Sequence, residues 1–198
     1  IELATLITDA LGKRTSGPYV RSAVYAPAPG STVIYQESLP VDDLGMLYLF
    51  VAPDDRIEAR ARAKLLGQHL SNRAFNQLRT EEQLGYAAGG MDTLLGDRSA
   101  IGLYIQTPVK GPRAMLERFD AFLKTYQQTL AELSPEEFDS LKAGVLSDLT
   151  KPPKNLSEEA APYVSDWSQA RYRFDTRARL IAAVGEVTLE DVQRFYEN

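Results

Sequence analysis

The sequence predicts an α+β domain, a mostly antiparallel sheet with helices packed on one face. Three observations predict it. Runs with strand composition are concentrated in the first half of the chain, around one long helical segment. Helix start signals and apolar residues at spacings of three and four fill the second half. The 198 residues, 44% hydrophobic and 25% charged, suffice to bury a core without disulfides or a structural metal.

Taken in order, Ile1 to Leu11 reads as a short helix with Leu3, Leu6, Ile7 and Ala10 on one face. Gly12 to Pro18 breaks it. Val20 to Tyr25 and Thr32 to Gln36 have strand composition and flank a turn at Pro27, Pro29 and Gly30. The apolar run Leu44 to Val51, bounded by Asp43 and Pro53, reads as a buried central strand. Asp54 or Asp55 is expected to cap a long helix, whose Leu66, Leu70, Ala74 and Leu78 form one buried row. That helix is expected to end between Arg79 and Glu82.

Leu84 to Thr93 and Ala100 to Thr107 read as strands joined by a turn at Leu95-Gly96-Asp97-Arg98. In the second, Ile101, Leu103 and Ile105 alternate with Gly102, Tyr104 and Gln106, the period of a strand with one buried face. The rest is helical. Pro112 to Leu130 carries Met115, Phe119, Phe122 and Tyr126 on one face. Ser134-Pro135-Glu136-Glu137 opens a helix that runs to Thr150 and stops at Pro152-Pro153. Ser157 is expected to cap the next, and Thr188-Leu189-Glu190-Asp191 opens the last.

Composition narrows the function. The net charge is −5 and no Lys/Arg run is long enough to follow a phosphate backbone, so no nucleic-acid partner is expected. There is no cysteine, which removes thiol nucleophiles and Cys-based metal sites. No apolar stretch reaches the length of a membrane span. The start, Ile1-Glu2-Leu3, lacks both an initiator Met and a basic leader region, and so suggests a fragment or processed chain.

A catalytic zinc takes three protein ligands and leaves a position for water. The only histidine is His69, and neither H-E-x-x-H nor H-x-x-E-H occurs. His69 reads as a surface or groove-lining helix residue. Adjacent carboxylates at Asp42-Asp43, Asp54-Asp55, Glu81-Glu82, Glu136-Glu137 and Glu158-Glu159 point to different sides of their elements, and most mark helix starts. Gly89-Gly90 fits no nucleotide-binding pattern.

One segment stands apart: Phe75-Asn76-Gln77-Leu78-Arg79-Thr80-Glu81-Glu82-Gln83-Leu84-Gly85-Tyr86. It is the end of a long helix turning into a strand, with a guanidinium at the helix terminus and a phenol at the strand start. Both are hydrogen-bond donors. Read for structure alone, Arg79 complements the helix dipole and Tyr86 fills a sheet edge.

The segment closely resembles the F-N-x-L-R-T-x-E-Q-L-G-Y signature in the last domain of the pitrilysin and insulin-degrading-enzyme family of zinc metallopeptidases. Ser134 to Phe138, Lys151 to Glu159, Arg173 to Asp175 and Thr188 to Tyr196 resemble the family in the same order. The likeness covers about residues 33–198, while residues 1–32 read as a leading helix and linker from a preceding domain. After Tyr86 the chain departs, reading Ala87-Ala88-Gly89-Gly90 where the family often has bulkier residues.

The resemblance implies a pitrilysin/mitochondrial-processing-peptidase-like C-terminal domain that binds no zinc. The metal is implied in the full-length enzyme, held by another domain. The partners implied are a peptide substrate and a zinc-binding N-terminal half, in the same protein or a partner chain. Arg79 and Tyr86 fall where the family contacts peptide near the scissile bond, with Tyr86 in the catalytic role. Phe75 falls where the family lines the pocket for the residue after the cut. The implied compartment is periplasm or cytoplasm, tilted to the periplasm. Other readings are a scaffold domain of an inactive relative and part of a cofactor-peptide maturation protease.

Overall fold

The apolar run after Asp43 becomes strand β1, Leu44–Val51, but at the border of the sheet and partly exposed rather than buried at its centre. The structure, a computed structural model, describes residues 2–11 and 27–197, and helix α1, Glu2–Leu11, precedes the strand. The strand expected at Val20 to Tyr25 lies outside the described residues. The one expected at Thr32 to Gln36 is not formed among the described residues: the segment joins no ladder there, and Val33, Ile34 and Tyr35 stand exposed. Its β-branched composition supplies only a preference for extended backbone, which becomes a strand when a neighbour pairs with it.

Strands β2, Ala87–Leu95, and β3, Arg98–Thr107, are joined by Gly96-Asp97, with Gly96 at φ 63°. The sheet is antiparallel in the order β1-β3-β2. Leu44 pairs with Thr107 and Ala87 with Gln106, so the starts of β1 and β2 flank the end of β3. The alternation read in β3 holds: Ile101, Leu103 and Ile105 enter the core. Gly102, Tyr104 and Gln106 fall on the opposite face.

Helix α2, Ile57–Ala74, lies across the core face. Its row Leu66, Leu70 and Ala74, continued by Leu78 just beyond its end, is fully buried. Gly90 on β2 lets it approach closely, because a Cβ there would sit 2.7 Å from the Ser71 nitrogen. Neither Asp54 nor Asp55 caps α2; the N-cap is Arg56, with no side-chain cap bond. The Asp54 carboxylate is already engaged, accepting from the Arg56 backbone N–H and Nε.

The second half builds the helical layer. Helix α3, Pro112–Ala131, buries Met115, Phe119, Phe122 and Tyr126. Helix α4, Pro135–Thr150, begins with the capping box of Ser134 and Glu137. Helix α5, Leu156–Ser168, is capped by Asn155 rather than Ser157: the Asn155 side chain accepts the Glu158 N–H at 2.9 Å. Helix α6, Thr176–Glu186, and helix α7, Leu189–Glu197, complete the layer, with Thr188 accepting the Asp191 N–H at 3.2 Å.

His69 is buried rather than surface-lying. Helix α2 is covered on several sides, and His69 is turned toward α3, where its Nδ1 lies 2.8 Å from the Tyr126 hydroxyl. Burial holds its pKa below the ordinary value, and Arg73 adds to the same effect.

Candidate functional site

The signature segment owes its shape to a change in helix type. After Ala74 the backbone continues as a π-helix, Phe75–Glu81, in which the Glu82 N–H reaches back to the Gln77 carbonyl at 2.9 Å. The wider turn changes the phase of the side chains, and such segments recur at functional sites. Gln83 then adopts φ 51°, and the Leu84 N–H closes onto the Leu78 carbonyl at 3.0 Å, ending the helix. Arg118 on α3 braces the turn through a two-pronged ion pair with Glu82. This pair holds the Glu82 carboxyl below its usual range, against a smaller opposing effect of burial.

Gly85 explains how the chain enters the sheet. A Cβ at this position would lie 2.1 Å from the Gln106 carbonyl oxygen, so only glycine fits there without displacement. The Thr107 hydroxyl donates to the Leu84 carbonyl beside it. Tyr86 is therefore delivered at the foot of β2, next to the end of β3.

The three residues singled out in the sequence come together here. Arg79 donates from Nε to the Tyr86 carbonyl at 3.1 Å, and its guanidinium carbon lies 4.9 Å from the Phe75 ring centroid. The phenol of Tyr86 points elsewhere. Its hydroxyl donates to Asp43 Oδ2 at 2.8 Å, and Gln106 Nε2 donates to the same oxygen at 3.1 Å. The hydrogen bond to Asp43 raises the phenol pKa above its ordinary value. Tyr86 is 60% exposed and Phe75 42%. Arg79, Thr80, Gln83, Gly85 and Tyr86 line an open hollow.

Asp43 and Gln106 were not legible as site residues. Asp43 is 43 positions from Tyr86, and only the strand order places them on either side of β3. The one local signal is that Asp43, unlike most of the paired carboxylates, does not precede a helix.

The residues do not fit a resident zinc. Among the described residues no group of three or more His, Cys, Asp or Glu side chains could hold a metal ion. His69, the only histidine, is buried beside Tyr126.

Residues 65–164 match a family described as PQQ synthase PqqF-like, C-terminal lobe domain 4. The chain is 31% identical over 166 residues to Protease 3 of Escherichia coli K12, covering 83% of this chain and 17% of that protein. It is 33% identical over 139 residues to human insulin-degrading enzyme, covering 68% of this chain and 13% of that one. The crystal structure of pitrilysin superposes with a TM-score of 0.71 at 31% identity, covering 80% of this chain and 17% of its own. The fold and these likenesses thus define a C-terminal-lobe domain of a peptidase family. The chain belongs to the pitrilysin and insulin-degrading-enzyme family of metallopeptidases, as its C-terminal domain. It spans about a sixth of the length of Protease 3.

Proposed function

We propose that this domain forms the wall of a peptidase chamber opposite the catalytic metal, closing it and contacting a peptide beside the scissile bond. The metal and its ligands are assigned to another domain of the parent. Residues 1–32 are assigned to the connection from a preceding domain, and residues 33–198 to this one. Tyr86 donates its phenol proton in a hydrogen bond to the oxyanion that develops as the peptide carbonyl is attacked, stabilising charge absent from the ground state. Arg79, whose guanidinium is planar and always charged, holds a neighbouring peptide carbonyl and fixes the register. Phe75 lines the pocket for the residue after the cut.

One observation supports this reading above the others. Arg79 and Tyr86 line the same hollow and are both solvent-exposed, although each could have served the fold as a buried dipole partner or edge filler. The test is Tyr86→Phe in the full-length parent. Turnover of an unstructured peptide is expected to fall by more than about tenfold, since removing one oxyanion donor typically costs about 10²–10³ in kcat. Unchanged kcat in this variant removes Tyr86 from the reaction.

A further inference from the structure

A phenol has one proton to donate. In the structure that proton is already committed: Tyr86 donates to Asp43 Oδ2 at 2.8 Å. Asp43 is itself anchored, because Gln106 Nε2 donates to the same oxygen at 3.1 Å. The carboxylate therefore keeps a partner if the phenol leaves. Tyr86 lines the hollow and is exposed, and Asp43 is half-buried, so the pair lies at the surface rather than in the core.

Three oxygens would compete for the phenol proton when a peptide is bound: the Asp43 carboxylate, the neutral peptide carbonyl and the oxyanion. Hydrogen bonds to charged acceptors are roughly twice as strong as those to neutral ones. A ground-state carbonyl is the weakest of the three.

We propose that Asp43 is a positioning residue that holds the Tyr86 proton at rest, withholding it from the neutral carbonyl of a bound peptide and yielding it only to the charged oxygen of the transition state. This rests on the role of Tyr86 stated above. It makes the phenol's contribution selective for the transition state, at the cost of a bond that must be broken in every turnover. Removing Asp43 removes both the selectivity and the cost. Without it the phenol binds the ground-state carbonyl, so KM falls. The resting bond no longer has to be broken, so kcat/KM rises. Because the phenol is solvent-exposed and its ring loses an anchor, the gain is limited to several-fold.

The experiment uses the full-length parent and an unstructured peptide, with Asp43→Ala and Asp43→Asn each made alone and together with Tyr86→Phe. Asp43→Ala is expected to raise kcat/KM by at least about threefold and to lower KM. Asp43→Asn, which keeps a neutral acceptor of the same shape, falls between it and the natural enzyme. With Tyr86→Phe present, neither Asp43 change alters kcat/KM. The Tyr86 phenol, followed by tyrosine-ring NMR against Tyr86→Phe, titrates at lower pH in Asp43→Ala than in the natural enzyme.

A fall or no change in kcat/KM for Asp43→Ala, alongside a crippled Tyr86→Phe, overturns the proposal. So does a gain that persists without the phenol, which would reflect general charge. A phenol whose titration ignores Asp43 sinks the role of Asp43 and leaves that of Tyr86 standing. A Tyr86→Phe enzyme with natural turnover removes both.

Discussion

Gly85 shows how closely a single position governs the site. Its missing side chain lets the Gln106 carbonyl approach the backbone just before Tyr86, while the Gln106 side chain holds Asp43. Gly85→Ala would force the feet of β2 and β3 apart where Tyr86, Asp43 and Gln106 meet. Overpacking of this kind costs about 1–3 kcal/mol, so the denaturant midpoint of the chain is expected to fall accordingly. An unshifted midpoint would mean that the junction yields freely. Glycine is required here by crowding rather than by conformation. Its φ is not in the left-handed region, and the constraint is the close approach of β3. Arg79, Tyr86 and Phe75 were legible because they share one short motif. Asp43 was not, because strand order rather than chain proximity brings it to Tyr86.

Among the elements, α2 leads into the signature and carries the pH response. His69 is neutral in the fold because burial opposes its charge. The unfolded chain takes up a proton near pH 6.5, while the folded chain resists until a lower pH. The stability that depends on neutral His69 is therefore complete above about pH 6.5 and is lost as the pH falls toward the folded value. Because the chain has a single histidine, thermal unfolding at pH 7.5 and at pH 5.5 isolates this effect. The melting temperature is expected to drop between those values, and His69→Gln to flatten the drop. Equal drops in both proteins would assign the effect to other groups. The buried row of α2 was legible from its spacing, whereas the π-helix beyond it was not, since both helix types give an apolar stripe over so short a segment. The cap of α5 lay two residues from its expected place because Asn155 and Ser157 both carry a capping oxygen, and only Asn155 has Glu158 at the third helical position.

For the whole molecule, the layered α+β arrangement was the most legible feature, since the apolar alternation of β3 and the spacing in α3 repeat across many residues. The same scale predicts what the chain does by itself. By itself it is expected to show no peptide hydrolysis, and metal analysis is expected to find no stoichiometric zinc. One zinc per chain, or measurable cleavage abolished by a chelator, would overturn the division of labour proposed for the parent.

The sheet order has a practical consequence. With β3 in the middle, β1 borders the sheet, and Leu47 and Phe50 are exposed along a strand whose other edge has no ladder partner among the described residues. Such a border is a template onto which another copy can zip. Produced as a separate piece, the chain is expected to be limited by self-association at high concentration, so a lysine placed at Leu47 is the change that would keep it in solution as single molecules.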